Sequence, residues 1–359
     1  EAVFPKLNRF MTGYDLYHAY DPKTETVNLA RLICGAEGTL GIICEVTLDL
    51  TPIPDFRTLL VIKYDDFFSA LKHATVLIDA GALSVETVDS KVLNLARQDN
   101  VWLSVQDYIR EVPGHEIAGL NIVEFAGNDA ALEKGKMQRL FEIISSEALE
   151  FKNGILGVQQ VNEAAGIAAV YGMRKKAVGL LGNAAGRKKL VAFTEDTVVP
   201  PKKLADYIRE FRALLDSKHV AYGMFGHVDT GLMHVRPALD LTVDEDRRKF
   251  VEISEGVAEL VAKYDGQMWG EHGRGYRSCF GEKFFKELYP VARKVKELFD
   301  PESRTELRVD AAGRVELLTK KGRKIESLKQ SKEKAEGKGV RLGTAYRLED
   351  GTTVYVPEE

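Results

Sequence analysis

A strand–helix–strand rhythm recurs four times between residues 58 and 275, and no other feature restricts the fold of this chain as strongly. Short apolar segments rich in β-branched residues alternate there with amphipathic helical segments, and some neighbouring strands are joined by a tight hairpin. Such a pattern favours split βαβ units of the ferredoxin-like type. It predicts an α+β fold on a mostly antiparallel sheet.

The individual elements follow from the spacing of apolar residues. We predict strands at residues 59–62, 84–88, 121–125, 190–193, 220–228, 232–235 and 268–269. Helices are predicted after Asp65 or Asp66, over residues 132–143, 204–215 and 244–264, and over a closing segment at 282–299.

Residues 28–55 predict a strand, a glycine-rich loop and a second, alternating strand that Pro52 and Pro54 end. The loop, Gly35–Gly41, is open to two interpretations. It is either a turn between strands or a set of backbone N–H groups that bind a phosphate. It does not match G-x-G-x-x-G and no helix is predicted after it, so a Rossmann dinucleotide site is disfavoured. The two prolines mark a plausible domain boundary.

Composition excludes several classes of protein. With 50 Lys and Arg against 54 Asp and Glu, the net charge is -4, whereas a nucleic-acid-binding surface is basic. No apolar run reaches the roughly 18 residues that span a bilayer. The three cysteines are too few and too scattered for a disulfide framework or an iron–sulfur cluster. A reducing, cytoplasmic compartment fits these features best.

The character of the chain changes after Pro301. Residues 314–341 contain 10 Lys and Arg against 4 Asp and Glu. This is typical of a solvated or disordered tail, and a basic interaction arm is the alternative. Residues 343–356 predict one hairpin around Asp350-Gly351.

Three of the seven histidines lie in two glycine-flanked segments. The first segment is GHVDTGLMHVRP, residues 226–237. A tight turn centred on Thr230-Gly231 would place His227 directly opposite His234, so that both imidazoles could converge on one cation. The alternative is that both histidines only make structural hydrogen bonds.

The second segment is WGEHGRGYR, residues 269–277. It offers Glu271 as a third metal ligand and His272 as a titratable neighbour. Two histidines and one carboxylate leave metal positions open for a substrate, as catalytic sites do. Because successive side chains of an extended segment point to opposite sides, we expect Glu271 to face the metal and His272 the substrate.

Four motifs together resemble the FAD-linked oxidases of the vanillyl-alcohol oxidase type. NLARLICGAEGTLGIICEVTLDLTPIP, which starts at Asn28, is similar to the end of their FAD-binding domain. EDTVVPPKKLADYI (195–208) and the two histidine segments are similar to their C-terminal domain. The resemblance covers roughly residues 1–301. It is strongest to the branch that contains D-lactate dehydrogenases, D-2-hydroxyglutarate dehydrogenases and the glycolate oxidase flavoprotein subunit.

The resemblance implies a role for each matched position. His227, His234 and Glu271 match ligands of a divalent metal, zinc being the first expectation, and His272 matches the catalytic base. Arg174, in YGMRKKAVG, matches an arginine that binds a substrate carboxylate. The FAD-contacting positions are Tyr14, Glu37, Gly38, Gly41 and Ile42.

Two departures from the family pattern carry expectations of their own. Arg236 stands where the family has an asparagine, which implies a different or more anionic substrate. Arg236, or alternatively Arg277, is expected to bind the substrate carboxylates together with Arg174. The first FAD subdomain should precede residue 1, so we expect a fragment that is inactive alone and holds no tight FAD. Its domains are expected at 1–57, 58–275, 276–301 (a closing helix) and 302–359.

The implied activity is oxidation of a D-2-hydroxy acid to the 2-oxo acid, with hydride passing to FAD. Implied partners are the small hydroxy acid and an iron–sulfur electron acceptor outside this chain, with no nucleic acid. Peripheral attachment at the inner membrane stays open. Two alternatives remain: a metal- and substrate-binding domain without activity of its own, and a non-redox alkyl-transfer flavoprotein on the same scaffold.

Overall fold

The computed structural model describes residues 4–9, 13–182 and 187–300, together with six strands between residues 303 and 355. The strands are β1 (Tyr20–Asp21), β2 (Thr26–Val27), β3 (Phe56–Tyr64), β4 (Ser84–Asp89), β5 (Gly119–Gly127), β6 (Ile155–Val161), β7 (Lys189–Leu190), β8 (Thr197–Val198), β9 (Tyr222–His227), β10 (Leu232–Leu239), β11 (Ser303–Val309), β12 (Val315–Lys321), β13 (Lys324–Lys329), β14 (Gly339–Leu342), β15 (Ala345–Leu348) and β16 (Thr353–Tyr355).

The α-helices are α1 (Leu29–Cys34), α2 (Phe67–Asp79), α3 (Ser90–Arg97), α4 (Trp102–Val105), α5 (Ala130–Leu149), α6 (Ala164–Gly182), α7 (Leu204–Ser217), α8 (Asp244–Lys263), α9 (Gly281–Phe285) and α10 (Leu288–Phe299). Short 3-10 turns cover Lys152–Gly154, Pro201–Lys203 and Gly275–Phe280. Among the helices described, none is long and apolar enough to cross a membrane.

The chain forms two compact units. One combines Glu1–Thr12 with Cys44–Phe280, and the other combines Gly13–Ile43 with Gly281–Glu359. The domain boundaries expected at residues 57, 275 and 301 stay predictions.

The first unit is built on one antiparallel sheet in the order β6-β3-β5-β4-β9-β10-β7, with β8 also paired to β10. Its first half runs β3-α2-β4-β5-α5-β6 with the spatial order β6-β3-β5-β4, which is a ferredoxin-like split βαβ unit. The second half repeats this order as Gln267, β8, β10 and β9, with Gln267 bridged to Val198. The predicted fold class is confirmed.

Helices cover both faces of the sheet, and one face carries the site. Ile167, Val170 and Met173 of α6 pack with Leu59 and Val61 of β3 in one buried cluster. Ile122 of β5 is directly opposite Val61 on one side and Glu86 of β4 on the other. Directly opposed residues point to the same face of a sheet, so Glu86 lies on the face that α6 covers. This arrangement brings α6 over the polar side chains in the middle of the sheet.

The prediction for residues 28–55 is wrong at its first strand. Residues 29–34 form helix α1, because Asn28 caps its N-terminus by accepting a hydrogen bond from the Ala30 N–H. Residues 41–54 form neither helix nor strand. Their alternating pattern lacks a paired strand among the described residues, and a strand without a ladder partner has unsatisfied backbone groups.

Other boundaries differ from the predicted ones. The strand expected at 190–193 is reduced to β7, and residues 268–269 form no strand. The closing helix is divided into α9 and α10. The helix over 164–182 and the strand before it were not predicted.

The basic segment 314–341 contains strands β12 and β13 and most of β14, so the disordered form of the expected tail is wrong for these strands. A solvated tail and a basic interaction arm both stay predictions. Antiparallel pairing of β11, β12 and β13 satisfies their backbone groups irrespective of charge. The hairpin predicted for 343–356 is present as β15 paired with β16. Its expected turn at Asp350-Gly351 lies outside the described residues.

Candidate metal centre and active site

The β9–β10 hairpin places both metal-candidate histidines on one face of the sheet. His227 is directly opposite Leu232, and His234 is opposite Phe225. The predicted register, with His227 opposite His234, is therefore wrong by two residues. A two-residue turn at Thr230-Gly231 would need a positive φ at a β-branched residue, and only Gly231 has one (φ 76°). An even shift keeps both side chains on the same face, and the ring centroids lie 5.6 Å apart.

Glu271 lies at the centre of the site. Its Oε1 is 3.2 Å from His227 Nε2, 3.3 Å from His234 Nε2 and 3.4 Å from His272 Nε2. Neighbouring donors on a tetrahedral ion with bonds of about 2.0–2.1 Å are separated by roughly 3.3–3.4 Å. The nitrogen–oxygen spacing therefore fits a set of ligands around one divalent cation.

The side chains of the three histidines differ in their access to solvent. The His234 side chain is 4% exposed and that of His227 18%, whereas that of His272 is 52% exposed. The expectation that Glu271 and His272 point to opposite sides is wrong. Both side chains converge, because the segment bends around the carboxylate of Asp196 instead of running straight.

Asp196 fixes the loop that carries Glu271 and His272. Its carboxylate accepts hydrogen bonds from three consecutive backbone N–H groups, those of Gly270 (2.9 Å), Glu271 (3.0 Å) and His272 (3.1 Å). Arg277 Nη1 lies 3.6 Å from the same carboxylate. Asp196 is also one of four residues, with His234, Glu271 and His272, that offer ligand atoms within 4.8 Å of one another, but its oxygens already serve the loop. We therefore treat it as an anchor and not as a ligand.

Glu86 supports the site from the neighbouring strand. Its Oε1 lies 2.7 Å from His227 Nδ1, and its Oε2 lies 2.6 Å from Arg174 Nη2. Arg174 Nε is buried and makes no hydrogen bond to the described residues. A buried guanidinium nitrogen without a partner is a natural binding point for an anionic ligand.

Arg236 approaches the site from β10. Its Nε donates to Glu195 Oε2 over 2.6 Å. The guanidinium carbons of Arg174 and Arg236 lie 5.1 and 5.6 Å from the ring centroid of Phe225. Two cationic groups thus lie near one aromatic ring next to His234, whose ring is 4.9 Å from that of Phe225. Arg277, in contrast, donates to the backbone carbonyls of Met268 and Gly273 and is structural.

The charges of the site are tightly coupled. Burial lowers the pKa of His227, but the carboxylates of Glu271 and Glu86 outweigh burial and raise that pKa to about 9. Burial favours a higher pKa for Glu271, but the imidazoles of His227 and His234 hold its pKa well below the usual range. Without a cation, His227 therefore supplies positive charge that this carboxylate attracts.

The residues expected to contact FAD lie in the other unit. Tyr14 is buried, and its hydroxyl is 2.8 Å from Thr39 Oγ1, which connects the two expected flavin-binding segments. Glu37 and Gly38 both have positive φ, at 51° and 74°. A Cβ on Gly38 or Gly41 would meet no atom within 4 Å. The backbone of this loop is thus accessible, as binding to a phosphate requires.

A family model described as FAD linked oxidases, C-terminal domain, matches residues 53–304. The chain belongs to this family. The match contains all the residues of the candidate metal centre of this FAD-linked oxidase domain. A second model, uncharacterized conserved protein (DUF2149), matches residues 290–358.

The relatives of this FAD-linked oxidase domain include named dehydrogenases. D-2-hydroxyglutarate dehydrogenases of Pantoea ananatis and Escherichia coli are each 53% identical over 302 residues. Each match covers 84% of this chain and 30% of the relative, so the chain spans about a third of the curated relatives' length. A D-lactate dehydrogenase of Anaerostipes hadrus is 26% identical over 76% of this chain and 56% of that protein.

A solved structure of alkyldihydroxyacetonephosphate synthase is similar in fold. The TM-score is 0.52 at 14% identity, and the match covers 77% of this chain and 48% of that one. At this identity the likeness supports the fold alone.

Sequence reasoning missed three acidic residues of the site: Glu86, Glu195 and Asp196. Glu86 had a usable signal, since it is a charged residue at the centre of the short β-branched strand 84–88. Asp196 lies in the motif EDTVVPPKKLADYI, and its function depends on contacts with residues more than 70 positions away.

Proposed function

We propose that the intact protein oxidises a D-2-hydroxy acid, D-2-hydroxyglutarate in the first instance, to the 2-oxo acid with FAD as hydride acceptor and a divalent cation, zinc, at the site. The observation that carries the proposal is the convergence of three imidazole nitrogens on Glu271 Oε1 at 3.2–3.4 Å. Family membership supports FAD, and the 53%-identical relatives support the substrate.

His227, His234 and Glu271 are the residues that would hold the cation. When bound, the cation supplies Lewis acidity that lowers the pKa of the substrate hydroxyl, and FAD supplies the hydride acceptor. Tyr14, Glu37, Gly38, Gly41 and Ile42 are the residues of this chain that would contact FAD.

His272 is the proposed general base. It lies close to the proposed metal ligands, and its side chain is the most exposed of the three imidazoles, so a substrate can reach it. An imidazole is the side chain most often used as a general base for a hydroxyl proton. Its ring is 5.1 Å from that of His234, which keeps it beside the place where the hydroxyl would bind.

Arg174 and Arg236 are the proposed carboxylate-binding residues. The buried Nε of Arg174 has no partner, and the terminal nitrogens of Arg236 make no hydrogen bond to described residues. Two guanidinium groups 5.1 and 5.6 Å from the Phe225 ring centroid match a substrate with two carboxylates better than one with a single carboxylate. This supports a hydroxy-dicarboxylate such as D-2-hydroxyglutarate over D-lactate.

The test uses the intact protein that contains this chain. Its metal content is measured by elemental analysis, and flavin bleaching is followed anaerobically after addition of D-2-hydroxyglutarate or D-lactate. We expect about one zinc per chain and faster bleaching with D-2-hydroxyglutarate. If both acids still bleach the flavin after complete removal of divalent metal, the metal-assisted mechanism is refuted.

A further inference from the structure

Arg9 reaches the candidate metal centre from a distant part of the sequence. Its Nη1 lies 2.5 Å from Glu271 Oε2, although the two residues are 262 positions apart. Both belong to the same compact unit. The side chain of Arg9 is 40% exposed and that of Glu271 25%, so the contact lies where solvent reaches the site.

The two oxygens of Glu271 have separate partners. Oε1 faces the three imidazoles, and Oε2 faces Arg9. Asp196 fixes the backbone of Glu271 but does not touch its side chain. Among the described residues, Arg9 is therefore the one group outside the histidines that restrains rotation of this carboxylate.

We propose that Arg9 is a positioning residue for the metal ligand Glu271, so that the segment 4–9 completes the metal centre. This inference rests on the proposed function, since it presupposes a cation held by His227, His234 and Glu271. A guanidinium on Oε2 directs Oε1 towards the imidazoles and lowers the entropy lost when the cation binds. Partners that hold a ligand from behind in this way typically change metal affinity about 10–100-fold.

A positive charge near a cation also repels it, and two observations limit that cost. Arg9 contacts the oxygen that the imidazoles do not, so it does not occupy the proposed cation position. Its exposure lets water screen the repulsion. The ordering of Glu271 should therefore exceed the repulsion, and loss of Arg9 should weaken metal binding.

The experiment measures Zn²⁺ affinity of the full 359-residue chain by competition with a chromogenic chelator. The variants are Arg9→Gln, Arg9→Lys, His234→Ala and the control Arg209→Gln. Arg209 makes an exposed ion pair with Asp206 on α7, outside the group around Glu271. Circular dichroism and unfolding without metal verify that each variant folds.

We expect Arg9→Gln to weaken Zn²⁺ binding about 10–100-fold, and Arg9→Lys to lie between it and the unaltered chain, because lysine keeps the charge but not the planar fork. Arg209→Gln should bind as the unaltered chain does. Binding by Arg9→Gln within twofold of the unaltered chain, or tighter, overturns the inference and leaves the metal centre intact. Should Arg9→Gln not fold, Arg9→Lys decides, and affinity equal to that of the unaltered chain overturns the inference.

The metal centre itself has a separate outcome. If the unaltered chain does not bind Zn²⁺, or if His234→Ala binds it equally well, the proposed site fails and the inference fails with it. In the intact enzyme, excess Zn²⁺ should restore the turnover of Arg9→Gln. A residue that acted on the substrate instead would not be rescued in this way, so failure of the rescue contradicts the positioning role.

Discussion

His227 Nδ1 lies 2.7 Å from Glu86 Oε1, while Nε2 of the same ring faces Glu271. Glu86 and His227 are directly opposite each other on adjacent antiparallel strands, β4 and β9. The sheet register therefore sets both the orientation of the imidazole and the nitrogen that is presented to the site. A carboxylate behind a metal-binding histidine also raises its basicity as a ligand.

We expect Glu86→Gln to lower Zn²⁺ affinity about 10–100-fold, because the amide cannot hold His227 with the same charge. Chelator competition on the full chain measures this. Glu133→Gln is the matched control, since Glu133 is another largely buried glutamate with a cationic partner, Lys136 at 2.7 Å. Equal affinities for the two variants would show that Glu86 has no part in metal binding.

His272→Ala and Glu271→Ala should separate catalysis from metal binding. Loss of a general base typically lowers the rate about 10²–10⁴-fold, so His272→Ala should lose turnover and keep its zinc. Glu271→Ala should lose both. Turnover and metal content of the intact enzyme are measured between pH 6 and 9. If His272→Ala loses zinc as fully as Glu271→Ala, then His272 is a fourth ligand, which its 3.4 Å contact with Glu271 also permits.

Arg236→Asn tests whether Arg236 binds a substrate carboxylate, and it introduces the asparagine that the resemblance to FAD-linked oxidases implies at this position. We expect kcat/KM for D-2-hydroxyglutarate to fall about 10–100-fold, as for loss of one charge-assisted hydrogen bond of about 2 kcal/mol. D-lactate lacks the second carboxylate and is the internal control, with a much smaller change expected. Similar losses with both acids would indicate that Arg236 acts through Glu195 on the fold of the site and not on the substrate.

Local patterns predicted most of the first unit. Strands β3, β4 and β5 and helices α2 and α5 follow from alternating and amphipathic patterns, whose signals are short-range, whereas β6, which completes the ferredoxin-like order, was not predicted. The glycine-flanked histidine segments likewise identified His227, His234, Glu271 and His272, which the structure brings together.

Contacts between distant segments could not be predicted in the same way. The hairpin register depends on Gly231, which packs against the segment after β8. A Cβ added at Gly231 would lie 1.8 Å from the Val199 carbonyl oxygen, so this close packing decides the turn. Arg9 and Asp196 act across 262 and 74–76 positions, and no local pattern encodes such partners. Residues 29–34 contain a short apolar run that resembled a strand. They form a helix instead, and the Asn28 side chain caps it by accepting a hydrogen bond from the Ala30 N–H.

Asp89 should make the stability of the fold depend on pH. Burial raises the pKa of this carboxyl from 3.8 to about 6, although Val92 N–H and Arg212 oppose the change. Because the folded pKa lies above the unfolded value, the stabilising contribution is complete below about pH 4 and is lost as pH rises through about 6.

Asp89→Asn removes this titration and provides the reference. Between about pH 4.5 and about pH 7.5, the unfolding free energy of the unaltered chain should fall relative to that of the variant by about 2 kcal/mol. Urea unfolding at the two pH values measures the difference. A constant difference between the two proteins would mean that Asp89 has an ordinary pKa in the fold.

Asp196→Asn tests the anchor of the catalytic loop. Asparagine tolerates the left-handed conformation of this position (φ 69°), so the backbone is not strained by the change. Its amide, however, has only one acceptor oxygen for three backbone N–H groups, and it turns N–H groups towards other donors. Arg277 also loses its carboxylate partner.

We expect the unfolding free energy of Asp196→Asn to fall by about 3 kcal/mol, the usual result when a buried carboxylate that accepts several hydrogen bonds is lost. Zn²⁺ affinity should fall with it, because Glu271 and His272 both depend on this loop. Asp206→Asn is the control, since the Asp206 carboxylate is exposed and pairs only with Arg209 in the described contacts. If Asp196→Asn changed stability by less than about 0.5 kcal/mol, as surface substitutions do, the loop would be held by its other contacts. Asp196 would then remain a candidate metal ligand.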